Sequence, residues 1–155
     1  MRLLAVLFVM VLPVQAAALS CLRPSPERSF SEVQGAVESY LVVHGRLTFE
    51  TRKSPKVGRK NGPAPKLTRV PARMTGYALS GKGFKTPFDK NLTLEVRCLG
   101  PWCGSAQNGE QVLAFIRRDG AQHFLEVLPC GGRVFANPKR AVLKQMQSCM
   151  KRGRC

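Results

Sequence analysis

QVLAFIRRDGAQHFLEVLP, residues Gln111 to Pro129, decides the architecture. Two runs, Gln111–Arg118 and Gln122–Pro129, carry β-branched and aromatic residues and meet at Asp119-Gly120, a favoured hairpin turn. Working upstream, Leu92, Leu94 and Val96 alternate with Thr93, Glu95 and Arg97, which predicts another strand, ending at Cys98. Gly81-Lys82-Gly83 reads as a turn and is too short to cradle phosphate. Before it, Leu67–Ser80 reads as a strand with Pro71 near its start or on an edge.

Residues 51–66 break the pattern, since Pro55, Gly58, Gly62, Pro63 and Pro65 are interleaved with basic residues, and they read as a mobile basic loop. Leu41, Val43, Leu47 and Phe49 alternate with polar neighbours to give a half-buried strand, and Gly45 on its apolar side suggests a bulge or tight bend. Ser29-Phe30-Ser31-Glu32 resembles a capping box opening a short helix with Phe30, Val33 and Val37 on one face. At the other end, Asn137 followed by Pro138 predicts a final helix whose inward stripe is Val142, Met146 and Cys149, with Leu143 and Met150 beside it. The expected fold is mainly β: a small five-stranded barrel flanked by two helices and stapled by disulfides.

Met1–Ser20 reads as a secretory signal peptide, with Arg2 before an apolar run from Leu3 to Leu12, Pro13 ending it and small residues following. The run is too short to span a bilayer. Cleavage after Ala18 or after Ser20 satisfies the small-residue rule, and the second makes Cys21 the first mature residue. A lipid on Cys21 would make the protein an envelope lipoprotein or structural protein, although Ala18 and Leu19 reverse the residue order that lipidation prefers. The remaining single domain, residues 21–155, is expected in the periplasm or extracellular space, with no transmembrane anchor in the mature chain.

Export puts the six cysteines in an oxidising compartment. They allow 15 pairings. Cys98 and Cys103 flank a loop that Gly100 and Pro101 can fold back, Cys149 and Cys155 can staple the C-terminal tail, and Cys21 and Cys130 remain. A metal site is not expected, because no Cys-x-x-Cys occurs and only His44 and His123 could add ligands.

The formal net charge is +16. From Thr51 to Phe88 there is no acid, but Arg52, Lys53, Lys56, Arg59, Lys60, Lys66, Arg69, Arg73, Lys82 and Lys85 occur. After Glu126 there is again none, while Arg133, Lys139, Arg140, Lys144, Lys151, Arg152 and Arg154 follow. Such asymmetry attracts polyanions: acidic polysaccharide, lipid headgroups, nucleic acid or an acidic protein. The candidate anion-binding residues are Arg52, Lys53, Lys56, Arg59, Lys60, Lys66, Arg69 and Arg73. Trp102 is a further contact candidate, either plugging the barrel end or projecting outward.

The order of several features resembles the netrin-like module of the tissue inhibitors of metalloproteinases. A cysteine near the mature N-terminus precedes a short helix and the strand Tyr40-Leu-Val-Val-His-Gly45. Cys103-Gly104, Gly109, the strand Val112-Leu-Ala-Phe-Ile116, Cys130 and a helix carrying Cys149 follow. The resemblance implies an OB-fold barrel. It also implies a metalloprotease partner whose zinc is chelated by the amine and carbonyl of Cys21, if that residue is first. Leu22, Arg23 and Pro24 depart from the family's Cys-x-Cys start, and the cysteine before the first strand is absent.

Catalysis is not expected. The nine acids form no obvious pair. His123 and Cys130, seven residues apart on a regular strand, would lie more than about 20 Å apart on opposite faces. No cofactor is implied. The sequence therefore points to a non-catalytic exported binding module, with metalloprotease inhibition as the alternative that the resemblance adds.

Overall fold

The computed structural model describes residues 20–55 and 64–155. Residues 1–19 of the expected signal peptide and 56–63 of the basic loop lie outside the described residues.

Two helices and seven strands follow in the order α1 (Pro26–Gln34), β1 (Ser39–Phe49), β2 (Leu67–Ser80), β3 (Gly83–Leu99), β4 (Trp102–Cys103), β5 (Gln111–Asp119), β6 (Gln122–Val127), β7 (Val134–Ala136) and α2 (Arg140–Arg152). The expected five strands are the long ones. β4 and β7 are short additions with too few residues to show a periodicity.

The chain is mainly β, and β1 pairs on both sides. It runs antiparallel to β2 and antiparallel to β5, closing a ring in the order β1-β2-β3-β6-β5. β3 and β6 are the parallel pair, with Leu94 opposite Leu125 and Val96 opposite Val127. Inside the ring pack Val43, Leu47, Val70, Met74, Leu94, Val112, Ile116 and Leu125. Phe30, Val33, Val42, Leu79, Leu113, Phe115, Met146 and Cys149 form a second cluster, where the helices cover the outside of β1 and β5. Val112 to Ile116 is consequently buried without a break, one face turned to the ring and the other to the helices. Each fully buried side chain of this size contributes about 1.5–3 kcal/mol relative to exposure.

Several expectations need correction. α1 is capped by Ser25, whose side chain accepts from the Arg28 backbone N–H at 3.2 Å, and Pro26 takes the first helical position. Ser29 lies inside the helix and donates to the Ser25 carbonyl. Val37 falls beyond the helix and is fully exposed. Asn137 does not cap α2. It has φ +46°, and its backbone N–H donates to the Gln111 carbonyl at 2.8 Å. The β7–β5 pairing holds Asn137 against the sheet, so the helix starts later, with Lys139 at its cap and no side-chain cap bond.

β3 begins at Gly83, well before Leu92, and pairs with β2 along its length. The early half was hidden because Lys85, Thr86, Pro87, Asp89, Lys90 and Asn91 are exposed. The closing hairpin turns at Gly120-Ala121, one residue later than expected, with Asp119 opposite Gln122 and Gly120 at φ +56°. Gly45 marks a close approach and no bulge, since β1 keeps its register through Gly45, opposite Gly76. The irregularity is at Ala78/Leu79. Pro71 pairs with Thr93 on β3 just past the last β1–β2 rung, Phe49 opposite Ala72, so its missing N–H leaves no β1 bond unmade.

Three disulfides join Cys21 to Cys130, Cys98 to Cys103 and Cys149 to Cys155. These are the pairs suggested by spacing. Three such bonds fit an oxidising environment of the extracellular type.

Candidate functional site

The expected anion-binding residues separate into groups with different surroundings. All nine acidic residues lie within the described residues, so the acidic partner of every ion pair is visible. Arg52 and Lys53 sit in a single 3-10 turn, Thr51–Lys53, at the start of the β1–β2 loop. Lys53 is 3.1 Å from Glu50, whereas Arg52 has no ion-pair partner. Lys66, exposed at the other foot of the loop, presents its carbonyl to the Cys98 N–H at 3.0 Å. Lys56, Arg59 and Lys60 lie outside the described residues.

Arg69 and Arg73 are on the outward face of β2, but β3 places Glu95 opposite Arg69 and Asp89 diagonal to Arg73, opposite Thr75. Arg73 holds Asp89 through two bonds of 2.7 Å. Hydrogen bonding to Arg73 pulls the Asp89 carboxyl below its ordinary range, and the same contact raises Arg73. Arg69 lies 3.2 Å from Glu95, a carboxylate with only 3% exposure. Arg117 at 3.4 Å and Arg97 at 3.9 Å also approach Glu95, and Arg97 pairs with Glu126 at 3.0 Å. Arg117 stacks over Phe124, 4.5 Å from the ring centre. A carboxylate this buried needs several donors to offset its lost hydration. Arg69 and Arg73 therefore work within the sheet, and the free cations are elsewhere.

Among the described cations without an ion pair, one group stands at each end of the β2–β3 ribbon, while Lys90 lies mid-ribbon and Arg23, Arg28, Arg46 and Arg118 lie outside the ribbon. One end is the loop foot with Arg52 and Lys66. The other is the Gly81-Lys82 turn, where a Cβ on Gly83 would lie 3.2 Å from Gln147 of α2. Lys82 and Lys85 are exposed there without ion pairs, as are Arg140, Lys144, Lys151 and Arg152 of α2. Arg140, Lys144 and Lys151 share one helix face at i, i+4 and i+11. Met146 and Cys149 lie buried on the other side. Periodicity could have revealed this array, because the apolar stripe of α2 fixes which cations face outward.

Between the ends, the outer face of β2–β3 carries two adjoining hollows of about 630 and 410 Å³ that share Pro71, Asn91 and Leu92. Thr48, Phe49 and Asn108 wall one, and His123 and Phe124 the other. Burial, reinforced by Lys90 and Arg118, holds the His123 imidazole below its ordinary value. The groove leaves no mark in the sequence, because its walls come from four strands and a loop.

Cys21 is exposed and bonded to Cys130 beside a hollow of about 270 Å³ lined in part by Arg28, Glu32 and Arg133. Arg133 pairs with Glu32 at 2.8 Å. Trp102 projects outward at 42% exposure, opposite Leu99. Among the described residues no three His, Cys, Asp or Glu side chains converge where a metal ion could sit. No protein-family model, curated protein or solved structure matches this chain.

Proposed function

We propose that the chain is a non-catalytic exported binding module that holds an anionic partner on cations at the two ends of the β2–β3 ribbon. The observation that carries this reading is the unequal pairing of charge. Glu32, Glu50, Asp89, Glu95 and Glu126 are taken up by ion pairs, while Arg52, Lys66, Lys82, Lys85, Arg140, Lys144, Lys151 and Arg152 have no acidic partner. Unpaired lysines and arginines gathered at two ends keep a field available to a polyanion.

The fold we assign is an OB-type barrel of the netrin-like kind. In its favour are the five-strand ring, the parallel β3–β6 contact and a helix before the first strand and another after the last. OB barrels present loops and one sheet face to extended ligands, and such a barrel would offer the β2–β3 groove and the feet of the β1–β2 loop for that use.

The test is retention of the oxidised protein on immobilised heparin across a salt gradient. Binding that falls steeply and log-linearly with salt is expected. Salt-insensitive binding, or none, overturns the reading.

A second reading, metalloprotease inhibition, draws on the exposure of Cys21 and its tie to Cys130. It needs a free amine on Cys21. An intact mass that begins at Leu19 removes it.

A further inference from the structure

The β3–β4 hairpin narrows the chemistry of the anionic partner. Cys98 and Cys103 face each other across the two strands and are bonded, so the hairpin is stapled at its base. The next rung, Leu99 opposite Trp102, is the last before the Gly100-Pro101 turn. Leu99 is 58% exposed and Trp102 42%. Among the described residues the other large exposed apolar side chains are Leu22, Val37 and Tyr77, which are separated from this pair along the chain. Here two such side chains adjoin each other and an exposed Pro101. The disulfide restricts any movement by which the tip could fold away from water.

Cations stand at the base. The carbonyl of Lys66 bonds to Cys98 N–H, and its side chain has no acidic partner. Ser54 and Pro55, which follow the Arg52–Lys53 turn, share a hollow with Gly104, Ser105 and Ala106 just after the hairpin. Both feet of the basic loop therefore flank the base of the hairpin, behind the apolar tip. An apolar tip with an indole, backed by lysine and arginine, matches the layering of a lipid surface: acyl chains, then the interfacial zone that tryptophan prefers, then anionic headgroups.

We infer that the Leu99–Trp102 tip inserts into the interface of an anionic lipid bilayer while the loop feet contact its headgroups. This rests on the polyanion reading and gives the polyanion one identity. An acidic polysaccharide offers no apolar layer for Leu99.

Trp102 is the only tryptophan, so intrinsic fluorescence reports the tip alone. The exported, oxidised protein is titrated with vesicles of phosphatidylcholine and phosphatidylglycerol at roughly two to one, and with phosphatidylcholine alone. The expected result is a blue shift and protection from an aqueous quencher on the anionic vesicles, reduced by salt and absent on the neutral ones. Leu99→Ser, which keeps the reporter, should weaken partitioning roughly tenfold. Trp102→Ala, followed by sedimentation, should do the same, and both variants should keep wild-type heparin retention. Both side chains are exposed, and a disulfide map of each variant checks that the hairpin still forms. Heparin retention with no fluorescence change on vesicles overturns the tip and leaves the polyanion reading standing. Vesicle binding with unchanged Trp102 emission also overturns it, because the contact is then purely cationic. Loss of binding to both heparin and vesicles removes both readings.

Discussion

Gly45 and Gly76 face each other as register partners of β1 and β2, so close that a Cβ on either would fall 2.2 Å from a backbone carbonyl oxygen of the opposite strand. The crease lies within Val43–Arg46, the stretch of β1 that pairs with β2 and β5 at once, since Gly45 is also opposite Val112. Ring closure thus depends on two residues without side chains at one rung. Gly45→Ala or Gly76→Ala should cost at least about 2–3 kcal/mol, because backbone, not a movable side chain, occupies the space. Gly81→Ala, which meets nothing within 4 Å, should change stability by less than about 1 kcal/mol. Denaturant midpoints compare the three; equal midpoints would refute the crease.

One of the three disulfides closes a long loop and the other two close short ones. Cys21–Cys130 spans 109 residues and Cys98–Cys103 spans 5. On the loop-entropy account, losing the first should cost about 4–5 kcal/mol and losing the second about 2 kcal/mol. Paired Cys→Ala variants followed by chemical unfolding measure the order. A larger loss at Cys98–Cys103 would show that the hairpin bond shapes the native sheet directly.

Stability should decline as pH falls from 7 towards 5. Burial holds the His44 and His123 imidazoles below 6.5 in the folded chain. The unfolded chain then binds more protons in the window below 6.5. The histidines' contribution is complete above that value and is lost as pH falls through the folded-state values. Asp89 acts in the same direction lower down: Arg73 holds its carboxyl below 3.8, so its contribution is present above that pH and disappears in more acid solution. Unfolding midpoints at pH 7 and 5, with His44→Gln and His123→Gln flattening the decline, check the account. A midpoint that rises on acidification contradicts it.

Element by element, the sequence was legible where one face of a strand is apolar and the other polar. Val70, Ala72, Met74 and Ala78 alternate clearly, and β2 runs over the span expected, Leu67–Ser80. β3 was legible only from Leu92, because its earlier residues lie largely on solvent-exposed ribbon. Ser29 and Glu32 imitate a helix start, but Pro26 fits only a first turn, so the cap moves to Ser25. The cations were legible from composition. Their partners were not: Arg69 meets Glu95 and Arg73 meets Asp89 only through strand register, which a single sequence does not state.

That register yields the sharpest test of the charge argument. If ion pairing decides which cations reach a partner, Arg73 contributes little despite its exposure, because Asp89 cancels its charge nearby. Lys144 and Lys151 have no such acid and share the outer face of α2. Each unpaired cation that contacts a polyanion should add roughly one to the slope of log affinity against log salt. Lys144→Ala with Lys151→Ala should therefore lower that slope on heparin by about two, and Arg52→Ala with Lys66→Ala by a similar amount if a long polyanion spans both ends. Arg73→Ala should leave it within about one-half of the wild-type value, since it exposes the Asp89 carboxylate as it removes the guanidinium. A change at Arg73 as large as that at either end would mean that the partner displaces Asp89, returning the binding face to the centre of the β2–β3 ribbon.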